Sequence, residues 1–154
     1  MRVRVIAVGT RMPSWVRDGT GEYLKRLDSR VSLTEIPPAS RSASGNTDKA
    51  VAAEGTRLLA AVTAQDYVVA LDERGRELTT RELAGFLEAR MRDGRDLALL
   101  IGGADGLAPA VRARADFTWS LSRLTLPHAL VRVVLAEQLY RAHTILGNHP
   151  YHRD

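Results

Sequence analysis

A chain of 154 residues has the size of one ordinary domain, and 45% apolar with 26% charged residues is enough to fill a core, which excludes disordered, collagenous and coiled-coil classes. With no cysteine there is no disulfide scaffold, zinc ribbon or thiol nucleophile, which fits a reducing compartment such as the cytoplasm. The net charge is +4, and arginine fills every basic position except Lys25 and Lys49; that pattern suits either a polyanionic partner or plain solvated helix faces.

The opening MRVRVIAVG is interrupted by arginines and soon followed by Pro13, unlike a secretory leader. Residues 3–8 are apolar and β-branched and end at Gly9, which predicts a buried strand. Pro13 and Ser14 open a predicted helix in which Trp15, Val16, Tyr23, Leu24 and Leu27 share helical spacing. Residues 31–36 alternate apolar with polar and stop at Pro37-Pro38, predicting a second strand. The stretch PPASRSASGNT, residues 37–47, reads as an exposed, mobile loop whose Arg41 either touches a nucleic acid or is simply solvated.

A helix is predicted over 48–62 and a buried strand over 67–71, ending at Asp72 and the charged turn ERGRE. Thr79 and Glu82 have capping-box spacing ahead of a helix through Met91. Residues 97–101 form an uninterrupted apolar run, as a strand covered on both faces requires, closed by Gly102-Gly103. A short helix over 109–115, a strand over 117–121 and a long helix over 129–146, with Gly147 at the C-cap position, complete the chain. No apolar run reaches the roughly 20 residues that cross a bilayer, since Arg132 breaks the longest. Strands alternating with helices predict an α/β layer fold, one domain over 1–154, with a mainly parallel sheet.

Two segments carry chemistry. LLIGGADGL, residues 99–107, ends a strand in two glycines and brings backbone to the carboxyl edge of the sheet, where open α/β sheets bind ligands. There is no G-x-G-x-x-G and no Walker lysine, so nicotinamide and nucleoside-triphosphate chemistry lack their usual anchors; with no G-x-S-x-G elbow, a serine hydrolase lacks its nucleophile. The second segment, residues 120–154, begins with LSRLTLP, a loop that either surrounds an apolar ligand with backbone amides and carbonyls or turns toward the core. It ends in NHPYHRD, where His149, Tyr151, His152 and Arg153 combine proton carriers, a stacking ring and an anion binder. Zinc ligation by His128, His149 and His152 would have neither cysteine nor an H-E-x-x-H helix behind it, so no metal is expected.

Over essentially its full length the chain resembles the small SPOUT-class methyltransferases that methylate N3 of a pseudouridine in large-subunit ribosomal RNA. The resemblance lies in VIAVGTRMPSWV, GEYLKRL, VVALDERG, LLIGGADGL and WSLSRLTLPHALVRVVLAEQLYRAHTILGNHPYHR. It implies an α/β fold with a C-terminal trefoil knot, an exception to unknotted connection, and a homodimer that acts on the ribosome. It implies S-adenosylmethionine as cofactor, held by Leu71, Gly102, Leu121, Ser122, Arg123, Leu124, Thr125 and Leu126. The family often has Pro-Glu-Gly after LLIGG, where this chain has Ala104-Asp105-Gly106.

The chemistry the resemblance implies needs the imide N3–H removed, and His128, His152 and Arg153 are the groups suited to that. Arg141 would hold a phosphate or a base carbonyl, and Tyr151 would stack on an extruded pyrimidine. The competing reading is a non-catalytic RNA-binding or ribosome-assembly dimer of the same fold.

Overall fold

The computed structural model describes residues 1–152. Five strands, β1 (Val3–Val8), β2 (Val31–Ile36), β3 (Tyr67–Glu77), β4 (Leu97–Ile101) and β5 (Phe117–Ser120), form a sheet in the order β2-β1-β4-β3-β5, and every pairing is parallel. The helices are α1 (Ser14–Leu24), α2 (Asp48–Ala60), α3 (Thr80–Asp93), α4 (Pro109–Arg114) and α5 (His128–Leu146), followed by a 3₁₀ turn over Pro150–His152.

Side chains alternate across each strand, so the sheet feeds two cores. Val3, Val5 and Ala7 of β1 and Leu97, Leu99 and Ile101 of β4 pack with Leu83 and Leu87 of α3 and Leu135 and Leu139 of α5. On the other face Ile6, Val8, Ala98 and Leu100 pack with Leu58 of α2 and Val111 of α4. All five residues of β4 are buried, as its uninterrupted apolar run requires. Among the described residues no helix is long and apolar enough to cross a membrane.

Thr79 and Glu82 form the capping box: Glu82 N–H donates to Thr79 Oγ1 at 3.1 Å, and Thr79 N–H donates to the Glu82 carboxylate at 2.8 Å. Several boundaries differ from the sequence expectation. Helix α1 stops at Leu24 and α2 at Ala60, while Leu27 is buried beyond the end of its helix. Helix α4 stops at Arg114 and β5 at Ser120, whereas α3 continues to Asp93 and α5 begins one residue early, at His128. At the end of α5 the left-handed residue is Asn148, with φ 55°, while Gly147 has φ −95°. Asparagine tolerates that region because its short amide bonds locally, so it takes the role expected of glycine.

The largest correction concerns ERGRE. In place of a turn, β3 runs on to Glu77 through a register shift between Leu71 and Arg76, because β5 offers it a partner strand. Gly75 makes this close approach possible: a Cβ there would lie 2.6 Å from Thr118 O and 2.7 Å from Trp119 N.

The segment 37–47 is also pinned. Arg41 donates to Glu54 Oε2 at 2.8 Å and to Asp105 Oδ2 at 3.0 Å, and Ala39 N–H donates to Glu54 at 3.0 Å. Glu54 is 1% exposed, so its buried carboxylate holds the loop through Arg41.

Candidate functional site

Because every strand points the same way, the ends of β3, β4 and β5 open onto one edge of the sheet. After β4 the chain turns within five residues: Gly106 N–H donates to Gly103 O at 3.1 Å, and Gly106 has φ 82°. Gly102 lies under that turn, where a Cβ would stand 2.7 Å from Gly106 C and O. After β5, residues 121–127 lead to His128, which begins α5 beside Gly9 at the end of β1. Local hydroxyl bonds shape this crossing, with Ser120 Oγ donating to Ser122 O at 2.7 Å and Leu124 N–H donating to Ser122 Oγ at 2.9 Å.

These segments enclose a cleft of about 830 Å³. Of the residues singled out from sequence, Leu71, Gly102, Leu121, Ser122, Leu124, Thr125, Leu126 and His128 line it. Arg123 sits on the same loop, is exposed and does not form part of the wall. Across the mouth Thr125 Oγ1 donates to Glu73 at 2.7 Å, which ties the 121–127 loop to the β3 extension.

Sequence reasoning missed Asp72 and Trp119, which also line the cleft. Burial pushes the Asp72 carboxyl up, but hydrogen bonds from Arg74 and Arg112 outweigh it and hold it below its ordinary value. Trp119 is 4% exposed, and its Nε1–H has no partner. A tryptophan in the four-residue strand FTWS reads as core and gives no sequence signal for this role.

His128 Nδ1 is likewise buried without a partner. Burial, reinforced by the neighbouring Arg132 guanidinium, holds the His128 imidazole below its ordinary 6.5. The ring is therefore neutral at pH 7 and can accept a proton. Its NMR titration is expected to have a midpoint below 6.5, and since the unfolded chain binds this proton more readily, stability falls as pH drops through that range. A midpoint at or above 6.5 contradicts this reading.

Arg132, 3% exposed, sits behind His128. It donates to Glu35 at 2.6 Å and to the carbonyls of Val8 and Gly9 at 3.2 and 2.8 Å, closing the end of β1.

The remaining named residues lie elsewhere. Arg141 is thirteen residues beyond His128 on α5, about 20 Å along a helix rising 1.5 Å per residue. It pairs with Glu137 at 2.7 Å, and its guanidinium stands 5.0 Å from the Tyr151 ring centroid. Tyr151 packs on Tyr140 at 4.6 Å, and its hydroxyl donates to Glu137 at 3.3 Å. Burial, with Tyr23 and Glu137 adding to it, pushes the Tyr151 phenol up to about 12, so it stays protonated. His152 Nδ1 is buried and unpartnered in this region, and Arg153 lies outside the described residues.

Tyr151 and Arg141 thus meet at Glu137, midway along α5, and His128 stands in the cleft at the first residue of the helix. Glu137 was detectable, since it precedes Arg141 by four residues on a helix. Among the described residues no three His, Asp or Glu side chains are grouped to hold a metal ion.

A family model described as "Predicted SPOUT methyltransferase" matches residues 1–152. Curated relatives from Burkholderia mallei (strain SAVP1) and Burkholderia pseudomallei (strain K96243), both named "Ribosomal RNA large subunit methyltransferase H", are 53% identical over 155 residues, spanning 99% of this chain and 99% of theirs. Among solved structures, a "probable methylase family protein" from Haemophilus influenzae Rd KW20 superposes with TM-score 0.59 at 14% identity, covering 99% of this chain and 70% of that one. A "Probable Methyltransferase" from Bordetella pertussis Tohama I gives TM-score 0.57 at 18% identity, covering 92% and 95%. At such identities these two share the fold with this chain.

Proposed function

This chain belongs to the SPOUT methyltransferase family, and from that premise we propose that it transfers a methyl group from S-adenosylmethionine to N3 of a pseudouridine in large-subunit ribosomal RNA, on the assembled ribosome in the cytoplasm. The names of relatives sharing 53% of its residues support the RNA substrate. The observation that carries the reading is the cleft at the carboxyl edge, whose volume of about 830 Å³ suits a ligand of this size. Its walls fit the cofactor: leucine side chains for the adenine faces, a glycine turn that admits close backbone approach, and an unpartnered Trp119 N–H. Leu71, Gly102, Leu121, Ser122, Leu124, Thr125 and Leu126 would hold it, with Arg123 outside the wall.

When bound, S-adenosylmethionine supplies an electrophilic methyl group on a sulfonium. The protein must then position the pyrimidine and take the N3 proton. Neutral His128 can accept that proton, while His152 and Arg153 can stabilise the imide anion. Protonated Tyr151 offers a face for stacking, and Arg141 a cation for a carbonyl or phosphate.

Within one chain Tyr151 and Arg141 gather at Glu137, about 14 Å along α5 from His128 at 1.5 Å per residue, so the working site is completed by a second copy, whose tail reaches over this cleft. The C-terminal segment, crossing the ends of β3 and β4 before α5 returns beside β1, is read as the threaded part of a trefoil knot.

Mass spectrometry of ribosomal RNA tests the reaction: cells lacking the protein should lose one methyl group from a large-subunit pseudouridine, and its persistence refutes the proposal. Tyr151→Ala should lower turnover at least tenfold with cofactor affinity unchanged by calorimetry. Mixing Tyr151→Ala protomers with a cofactor-deficient variant should restore part of the activity through hybrid dimers. No recovery would confine the site to a single chain, and absence of cofactor binding by the wild type would favour a non-catalytic RNA binder.

A further inference from the structure

At the carboxyl edge of the sheet some arginines, Arg41, Arg74 and Arg112, are paired with carboxylates and others are not. Around the amino edge arginines are locked to carboxylates: Arg2 with Asp96, Arg4 with Asp66, Arg30 with Asp28, Arg92 with Glu88, and Arg95 and Arg114 with Asp116. Among the described residues, the exposed basic side chains with neither an ion pair nor a hydrogen bond are Arg11, Arg17, Lys49, Arg76 and Arg123. All five lie at the opposite edge. Arg11 is in the β1–α1 connection, Arg17 in the first turns of α1, Lys49 at the start of α2, Arg76 past the bulge of β3, and Arg123 on the 121–127 loop.

Each carboxylate lining the cleft at this edge already has a partner, Asp72 in Arg74 and Arg112, Asp105 in Arg41, and Glu73 in Thr125. The free guanidinium groups there are not neutralised from within the chain. The same rim carries two large apolar side chains facing solvent, Trp15 at 57% and Leu124 at 72% exposure.

We infer that this rim is an RNA-docking face, in which Arg11, Arg17, Lys49, Arg76 and Arg123 hold backbone phosphates around the cleft mouth and Trp15 stacks on an unpaired base. The inference rests on the function proposed above and adds where the substrate lies. A guanidinium with no partner can bind phosphate bidentately without first breaking an ion pair, which the amino-edge arginines would have to do. Cations interleaved with an exposed aromatic fit single-stranded nucleic acid better than an acidic protein surface.

The test measures binding of the full-length protein to purified large ribosomal subunits across a potassium chloride series. Each phosphate contact contributes about 0.7 to 0.9 to the slope of log K against log salt. Arg11→Ala, Arg17→Ala and Arg76→Ala should each reduce the slope by about that amount and weaken binding severalfold at fixed salt, with S-adenosylmethionine affinity unchanged by calorimetry. Trp15→Ala should weaken binding without altering the slope. Arg92→Ala, at the amino edge, should do neither. Slopes unchanged in the rim variants, or an equal change in Arg92→Ala, overturn the docking face while leaving the methyltransferase reading intact. A wild-type protein that neither binds nor methylates the subunits removes that reading, and this inference with it.

Discussion

Gly102→Ala is expected to weaken cofactor binding severely while the sheet stays folded. The added Cβ would meet Gly106 C and O at 2.7 Å and Leu107 N at 3.1 Å, all of them backbone atoms that no rotamer change can move. The turn that bends Gly106 back to Gly103 must open, and it forms one wall of the cleft. A displacement of this kind should reduce S-adenosylmethionine affinity by about a hundredfold or more, equivalent to roughly 2.7 kcal/mol, measured by calorimetry. Gly85→Ala is the matched control, because a Cβ there meets nothing within 4 Å on a helix. That variant should bind as the wild type does and melt slightly higher, since alanine favours helix over glycine. Wild-type affinity in Gly102→Ala would remove the cleft from the mechanism.

Arg41→Ala should be the most destabilising change on the surface. It leaves the Glu54 carboxylate, 1% exposed, without its cation, and breaking such a pair from one side destabilises by about 3 kcal/mol. For a domain of this size that is a fall of about 6 to 12 °C in Tm, read by thermal melting. The same arginine grips Asp105 on the glycine turn, so cofactor affinity should fall as well. Asp105→Asn separates the two effects. It removes only the more exposed partner, 37% accessible, so the melting temperature should barely move while cofactor affinity still drops. An unchanged Tm in Arg41→Ala would show that Glu54 finds another partner.

Much of the architecture could be read from residue patterns. The β-branched run of β1, the alternation of β2, the wholly apolar β4 and the capping box of α3 each state their structure locally, and each is found where the pattern lies. What escaped depended on distant partners. ERGRE has the composition of a turn, and only the neighbouring β5 makes it strand. Residues 37–47 have the composition of a mobile connector, and only Glu54 and Asp105 reveal that Arg41 ties them down. The candidate site divided in a similar way. Leucine, glycine and hydroxyl residues of the cleft belong to contiguous segments, so their neighbourhood was legible. The packing of Tyr151 on Tyr140 and Glu137, half of α5 away from His128, follows from how the chain turns back after that helix, which no local pattern encodes.

The order of strands constrains the timing of folding. β1 is paired on one side with β4, whose residues are made some ninety positions later, and β3 waits for both β4 and β5. A nascent chain leaving the ribosome can form only the β1–β2 pair until about two-thirds of the polypeptide exists, and parallel pairings this remote close slowly. The protein must therefore condense late, nearly as a whole, with α5 arriving last to seal one face. During synthesis, the face of β1 that carries Val3, Val5 and Ala7 stays uncovered until α3 and α5 exist, and this is the interval in which a holdase would protect it.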